Sequence, residues 1–452
     1  MENQNFTEGK IVKQLITFVF PIMFAMLLQS LYGAVDLLIV GHFSNAENLS
    51  GVTIGSMVMQ TVTFVICDLA IGTTILLGQF IGQGEKEKCG DVIGATIVLF
   101  LIIGAIAASA LVMFAPLLAA ALNTPAESLA ETVHYIRICG GGTVFIVAYN
   151  ILGGVFRGIG NSKMPLITVA IASVVNVFAD LFFVAVLGMG SAGAAIATVL
   201  AQVLSVVISF FIIRKQSLPF TFSKSQIRFN TYYVARIIKL GLPIALQDLL
   251  VSMSFLIIMA LVNRLGVIAS AGIGVAEKLC AFIMLVPSAF SQAMSSFVAQ
   301  NYGAGKMERA LRALCSGILI SLGCGFVLGY LAFFRGVGLS LIFSKDMDVC
   351  RASADYLKGY GIDCLFTAFL FCFIGFFNGC SRTTFVMMQG IIGAFGVRVP
   401  LSMLFSSIEP VSIFRIALAT PSSTFVQILL CLVYLAVFMR KRKGTEFARK
   451  AQ

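Results

Sequence analysis

Charge is scarce in this 452-residue sequence, since only 11% of its residues are Asp, Glu, Lys or Arg, against about a quarter in soluble globular proteins. Tryptophan is absent, and only two residues are histidine. The shortage of charge excludes a soluble protein of this length, because too few polar side chains remain to cover its surface. Hydrophobic residues make up 59% of the sequence instead, and the mean hydropathy is +0.99. These values predict a membrane protein.

Patterns typical of catalysis and of metal binding are also missing. The two histidines, His42 and His134, fall near the predicted outer surface, and no nucleophile–base or metal-ligand spacing surrounds them. The eleven cysteines include no C-x-x-C pair and mostly lie in apolar runs, where a thiol behaves as a small hydrophobe. We therefore expect no enzyme, no metal centre and no cofactor. The net charge of +11 does not indicate nucleic-acid binding, because the cations are spread over short loops.

Apolar runs long enough to cross about 30 Å of hydrocarbon recur along the whole chain. They predict an all-α polytopic membrane protein with twelve transmembrane helices. The predicted spans are residues 14–40, 50–81, 92–118, 130–156, 164–187, 192–213, 236–262, 270–301, 309–334, 352–379, 384–406 and 412–439. Most Lys and Arg residues fall on one side of the membrane if the N-terminus is cytoplasmic. We expect a multi-pass plasma-membrane protein with both termini in the cytoplasm.

The second half of the sequence repeats the first at a shift of 221 residues, or 222 before residue 50. Matching pairs include Pro21 and Pro243, Gln79 and Gln300, Gly82 and Gly303, Glu87 and Glu308, and Tyr135 and Tyr356. Each half holds six spans, which predicts two pseudo-symmetric six-helix bundles related by an axis along the membrane normal. The predicted parts are an N-terminal lobe at 1–213, a cytoplasmic linker at 214–235, a C-terminal lobe at 236–440 and a basic cytoplasmic tail at 441–452.

Several polar residues lie inside the first-half spans, where an ionisable side chain costs about 2.5–3.5 kcal/mol at the helix centre. Asp36 in span 1 and Asp180 in span 5 lie at similar depths below the outer surface. Asn176 precedes Asp180 by one helical turn, and Thr198 enters span 6 at a similar depth. Asn150 in span 4 could face Asn176 across a hairpin. These five residues form a candidate ion-coupling cluster.

The chemistry of this cluster suits a monovalent cation. Burial and a second carboxyl group nearby both favour the protonated form of a carboxyl group, so Asp36 and Asp180 can take up a proton near neutral pH. The same oxygen atoms could ligate Na⁺ instead. The repeat partners of the two acids are Ile258 and Leu401, which are apolar. This asymmetry indicates an ion site in the first lobe, although the polar groups could also serve only to join helices.

Further acidic residues within the spans are candidates for substrate contact or for the lining of a cavity. They are Asp68, Asp248 and Asp363. Asp363 or Asp248 could instead pair with Arg398. Pro21 lacks a backbone N–H group, so we expect a kink in span 1 whose bending responds to protonation of the acids.

Three segments together resemble the multidrug and toxic compound extrusion (MATE) family. They are GQFIGQG at Gly78–Gly84 with its repeat AQNYGAGKMERA at Ala299–Ala310, the stretch Arg157–Asp180, and Pro21 followed by YGAVD at Asp36. The resemblance is strongest to the bacterial and archaeal DinF-like branch, which carries an ion-linked network in its first lobe. It implies an antiporter that exports organic, often amphipathic cationic compounds in exchange for H⁺ or Na⁺.

The repeat suits alternating access of two lobes, in a protein that we expect to act as a monomer in the lipid bilayer. The alternative function is a flippase for a lipid-linked precursor. A flippase would favour a cationic cavity for a pyrophosphate group, whereas the predicted first-lobe site is acidic.

Overall fold

The computed structural model describes residues 4–215, 220 and 222–450. This part of the chain is almost entirely helical and contains no strand, which confirms the expected all-α fold. The predicted linker falls partly outside the described residues, at 216–219 and 221, and so do the last two residues of the predicted basic tail.

The helices of the first half are α1 (Ile11–Phe43), α2 (Ala46–Gln83), α3 (Lys86–Ala121), α4 (Leu129–Gly141), α5 (Thr143–Ile159), α6 (Lys163–Asp180) and α7 (Gly190–Lys215). Those of the second half are α8 (Thr231–Asn263), α9 (Val267–Gly303), α10 (Met307–Phe334), α11 (Gly336–Ser340), α12 (Met347–Gly379), α13 (Thr383–Ile391), α14 (Val399–Ser407), α15 (Ile413–Ala417) and α16 (Ala419–Lys450). Two π-helical segments, Leu181–Val186 and Ile392–Arg398, follow α6 and α13.

The described residues contain 11 helices that are long and apolar enough to cross a membrane. The bent pair α4 and α5 makes the count 12 when it is taken as one span, as predicted. The predicted span at 130–156 consists of two helices in the structure, which meet at an angle of 54°. The break falls at Gly140, Gly141 and Gly142, where the missing side chains lower the cost of leaving helical geometry.

Two compact units divide the chain. The first contains Met1–Ala245 together with Ser296–Ala310, and the second contains Leu246–Ser295 together with Leu311–Gln452. The end of α9 therefore packs with the first half of the sequence. The first unit holds the predicted ion-coupling residues, and the second holds Asp363 and Arg398.

The residues before α1 form a short segment, Gln4–Glu8, that packs onto the end of α9 within the first unit. Phe6 is fully buried there. Its ring centre lies 4.8 Å from that of Phe18 and 5.0 Å from that of Phe297. Side chains around the end of α9 also hold the backbone of the segment. The bonds run from Phe6 N to Gln300 Oε1 at 3.2 Å, from Asn301 Nδ2 to Phe6 O at 3.0 Å, from Arg309 Nε to Phe6 O at 2.8 Å and from Lys306 Nζ to Thr7 O at 3.0 Å.

Replacing Phe6 with Ala should destabilise the first unit by about 3–5 kcal/mol, because a fully enclosed aromatic ring leaves a cavity when it is removed. Thermal unfolding of the purified protein in detergent measures the effect. Phe20→Ala is the matched control, since the Phe20 side chain on α1 is 50% exposed. Equal melting temperatures for the two variants would show that the Phe6 contacts contribute nothing to stability.

Candidate ion-coupling site

Asp36, Asp180, Asn176 and Thr198 come together inside the first unit. Asp36 on α1 is 4% exposed, and Asp180 and Asn176 on α6 are fully buried. Thr198 Oγ1 on α7 donates a hydrogen bond to Asp36 Oδ2 at 3.3 Å. Asp180 and Asn176 adjoin the Asp36 carboxyl group. Side chains from α1, α6 and α7 therefore meet at one buried position.

The local helix geometry explains how α6 presents its two polar side chains. Asn176 and Asp180 are four residues apart, so they lie on the same face of the helix. That face packs against α1, which carries Asp36. Asp180 is the last residue of α6, and the π-helical segment Leu181–Val186 follows it directly. Single π-helical turns inside α-helices are frequent at functional sites.

Several polar atoms of this cluster have no hydrogen-bond partner among the described residues. They are Asp36 Oδ1, both carboxyl oxygens of Asp180 and both amide atoms of Asn176. Within the same residues, neither carboxyl group forms an ion pair with Lys, Arg or His. Two adjacent buried carboxylates repel each other and lose their hydration, so both can be ionised only if a cation joins them. The cluster can therefore bind one proton or one small cation.

The oxygen donors of the cluster fit Na⁺ as well as a proton. Carboxyl, amide and hydroxyl oxygens are the ligands that hard cations prefer. Among the described residues there is no group of three or more His, Cys, Asp or Glu that could hold a metal ion. The carboxyl, amide and hydroxyl oxygens of the cluster suit a hard cation such as Na⁺.

Tyr32 is a member of this cluster that the sequence analysis missed. It lies on α1 one turn before Asp36, its hydroxyl oxygen is buried, and the side chain adjoins Asp36 and Thr198. Tyr135 and Cys139 on α4 lie near Tyr32 and Asp36. The four-residue spacing of Tyr32 and Asp36 was a usable signal, because residues at that spacing share one helix face.

Asn150 does not join the cluster. Its Nδ2 donates to Ile146 O at 2.8 Å within α5, and Cys67 Sγ on α2 donates to its Oδ1 at 3.1 Å. No hydrogen bond links Asn150 to Asn176 in the described part of the chain. Asp68 follows Cys67 on α2 and is half-buried. Asn150, Cys67 and Asp68 thus form a separate polar group of the first unit.

The remaining predicted residues lie elsewhere. Asp248 on α8 is exposed, whereas Asp363 on α12 is 2% exposed and adjoins Arg398. No hydrogen bond or ion pair joins Asp363 to Arg398 within the described residues, so their pairing, one of the two alternatives for that acid, stays a prediction. Helix α1 continues without interruption through Pro21. The response of its bending to protonation stays a prediction.

A family model described as MatE matches the chain twice, over residues 21–182 and over residues 243–404. The chain belongs to the MATE family. The two matches cover the two halves of the internal repeat, and each begins at its proline, Pro21 or Pro243. This MATE protein is thus a polytopic membrane transporter.

Relatives of this MATE transporter match it over most of their length. It is 29% identical over 415 residues to the probable multidrug resistance protein YpnP of Bacillus subtilis strain 168, covering 90% of this chain and 91% of that one. It is 22% identical to the multidrug export protein MepA of Staphylococcus aureus strain MSSA476, covering 86% of each chain. A solved structure of a MOP superfamily transporter from Pyrococcus furiosus matches with a TM-score of 0.90 at 18% identity, covering 98% of this chain and 100% of that one. The structural match shows the shared fold.

Proposed function

We propose that this MATE transporter is an antiporter that exports organic, amphipathic cations in exchange for H⁺ or Na⁺. The observation that carries the proposal is the buried pair Asp36 and Asp180, which has no cationic side chain as a partner within the described residues. Such a pair must take a cation from outside the protein whenever both carboxyl groups are shielded from water. The names of the relatives YpnP and MepA support multidrug export as the transport activity.

The cluster offers a simple coupling scheme. With a bound H⁺ or Na⁺, the pair loses one of its two negative charges, and α1 can pack against α6 at a lower energetic cost. When the ion leaves, the two carboxylates repel each other and favour a state that admits water or a cationic substrate. Thr198 stabilises the ionised form of Asp36, because its hydroxyl group donates to the carboxylate. Ion and substrate then bind different states of the transporter, which is the requirement for exchange.

The pair also explains why the transported compounds should be cations. A carboxylate that is ionised in the substrate-binding state attracts positive charge, and the ion that replaces the substrate neutralises the same group. Substrate and ion therefore compete for one negative charge. We propose that the two lobes open to each side of the membrane in turn, and that the exchange of substrate for ion drives this change. Helix α1 would bend near Pro21 during the change.

The distribution of Lys and Arg along the sequence supports a membrane orientation for the transporter. Lys and Arg residues of the predicted cytoplasmic loops fit the rule that positively charged loops stay on the cytoplasmic side. We propose a protein of the plasma membrane, with both termini in the cytoplasm, that acts as a monomer.

Ethidium efflux from right-side-out vesicles that are loaded with the dye and contain the wild-type protein tests the function. Imposed proton and sodium gradients are applied in separate experiments, and vesicles without the protein serve as the control. We expect efflux that is driven by one of the two gradients and abolished when that gradient is collapsed. The gradient that drives efflux identifies the coupling ion.

Two outcomes would contradict the antiporter. Efflux that is equal with and without either gradient would indicate a channel or a passive carrier. An absence of efflux for ethidium and for other cationic dyes would favour the flippase, and translocation of a labelled lipid-linked pyrophosphate would then be measured in the same vesicles.

A further inference from the structure

The second unit contains a buried charged cluster of its own. Arg398 ends the π-helical segment after α13 and is only 5% exposed. Its NH1 donates a hydrogen bond to Ser254 Oγ at 3.0 Å, and its guanidinium carbon lies 4.3 Å from the centre of the Phe255 ring. Both partners are on α8. The guanidinium group is therefore held in place by a hydrogen bond and a cation–π contact.

Asp363 on α12 lies close enough to this guanidinium group for the two charges to interact, although no hydrogen bond or ion pair joins the side chains within the described residues. It is 2% exposed and also adjoins Thr424 on α16. Asp363 Oδ1 and Arg398 Nε are buried and lack a hydrogen-bond partner among the described residues. The other titratable groups around the pair are Tyr356, Tyr360 and Cys364 on α12 and Cys280 and Glu277 on α9. Arg398 is thus the one cation of this cluster within the described chain.

The internal repeat relates residues that flank the two clusters, although Asp363 itself corresponds to Gly142. Tyr32, which adjoins Asp36, corresponds at the shift of 222 to Ser254, which binds Arg398. At the shift of 221, two further flanking residues correspond in the same way. The pairs are Tyr135 with Tyr356 and Cys139 with Tyr360. Each of these four residues adjoins the charged groups of its own half.

The charges of the two clusters differ. Within the described residues, the first-half cluster has two buried carboxyl groups, Asp36 and Asp180, and no cationic side chain. The second-half cluster has one buried carboxyl group, Asp363, beside one guanidinium group, while Glu277 is exposed. Val177 of the first half stands where Arg398 stands in the second. A buried carboxylate needs a compensating positive charge. In the first half that charge must come from solution, whereas in the second half it is part of the chain.

We propose that Arg398 is a tethered counter-cation for Asp363 and takes the place that the exchanged H⁺ or Na⁺ occupies in the first half. The second half then binds no ion during transport, and coupling is confined to Asp36 and Asp180. The part of this inference that concerns coupling rests on the proposed antiport. Its central statement, that Arg398 keeps ions away from Asp363, concerns ion binding and can be tested without transport.

The test uses the purified full-length protein in a background of Asp36→Asn with Asp180→Asn, which removes the first-half site. Melting temperature is measured while Na⁺ concentration is raised and, separately, while pH is lowered. With Arg398 present, we expect the melting temperature not to change with Na⁺ concentration, and lower pH should not raise it. Adding Arg398→Gln should create a rise of roughly 2–4 °C with one of these ions, because Asp363 then takes its counter-charge from solution. Adding Asp363→Asn as well should remove that rise.

Two control variants keep the result interpretable. Arg398→Lys retains the positive charge and should behave like the protein with Arg398. Arg351→Gln removes an exposed arginine that pairs with Asp348 at 3.3 Å, and it should create no ion dependence. If Arg398→Gln alone does not fold, the double variant with Asp363→Asn remains informative, since replacing both members of a buried pair is tolerated better than replacing one. That double variant, with Asp36 and Asp180 intact, should export ethidium under the same gradient as the wild type.

Two results would overturn the inference. One is ion-dependent melting in the Asp36→Asn, Asp180→Asn background while Arg398 is intact, because Asp363 would then bind ions beside Arg398. The other is loss of gradient-driven efflux in the Asp363→Asn, Arg398→Gln double variant of a wild-type protein that does export. If the wild type exports nothing, the antiport proposal fails, and the melting experiment still decides the role of Arg398.

Discussion

Asp36→Asn is expected to abolish gradient-driven export, because a neutral amide can neither exchange a proton with solution nor balance the charge of Na⁺. Asparagine fills the same volume and still accepts the hydrogen bond from Thr198. It cannot release or bind a proton, and it carries no charge to hold Na⁺. The imposed gradient should therefore no longer accelerate ethidium efflux, while the variant still reaches the membrane.

Asp348→Asn is the matched control for this substitution. Its carboxylate is 64% exposed at the start of α12, where it pairs with Arg351, and we expect wild-type efflux. Asp180→Asn should reproduce the loss seen at Asp36, because the two carboxyl groups share one cation. Efflux by Asp36→Asn that still follows the gradient would remove the first-half site from the mechanism. Asp68 would then be the next acidic residue to test.

Four members of the ion-coupling cluster were predictable from the sequence for a simple physical reason, namely Asp36, Asn176, Asp180 and Thr198. Ionisable residues are rare in apolar spans, and the distance of Asp36 and Asp180 from the ends of their spans fixes their depth. The helical rise of 1.5 Å per residue turns sequence position into depth. Depth and the four-residue spacing of Asn176 and Asp180 sufficed to select residues that the structure brings together. Their role in coupling remains a prediction.

Other contacts were not predictable in this way. The rotation of a helix about its axis decides which residues touch, and hydropathy carries little information about it in a uniformly apolar span. Asn150 lies beyond the break between α4 and α5, and it faces Cys67 instead of Asn176. Phe6 gave no signal, because a single aromatic residue in a polar segment shows no periodicity. Its burial depends on groups nearly 300 residues away in the sequence.

Gly82 in the segment Gly78–Gly84 and Gly303 in its repeat, Ala299–Ala310, make equivalent backbone contacts. A Cβ atom on Gly82 at the end of α2 would overlap the backbone carbonyl of Gln300, and one on Gly303 at the end of α9 would overlap that of Gln79. The repeat relates Gln79 to Gln300 and Gly82 to Gly303, so the two contacts are equivalent. In each of them backbone meets backbone, and no flexible side chain can move aside.

Gly82→Ala and Gly303→Ala should each destabilise the protein by about 1–3 kcal/mol, because the helix ends must separate to admit the methyl group. Separation would also strain two hydrogen bonds of Gln300, from Nε2 to Gly158 O at 3.1 Å and from Phe6 N to Oε1 at 3.2 Å. The double variant should cost less than the sum of the single variants, since one separation relieves both overlaps. Melting temperatures of the purified proteins measure all three effects.

Gly323→Ala on α10 is the control, because a Cβ atom there meets no other atom within 4 Å. Alanine is favoured over glycine inside a helix by roughly 0.5–1 kcal/mol, so this variant should melt at or slightly above the wild-type temperature. If Gly82→Ala melts like Gly323→Ala, the ends of α2 and α9 are not in backbone contact in the stable state of the protein. If the single effects add fully, the two glycines report on separate contacts instead of one shared interface.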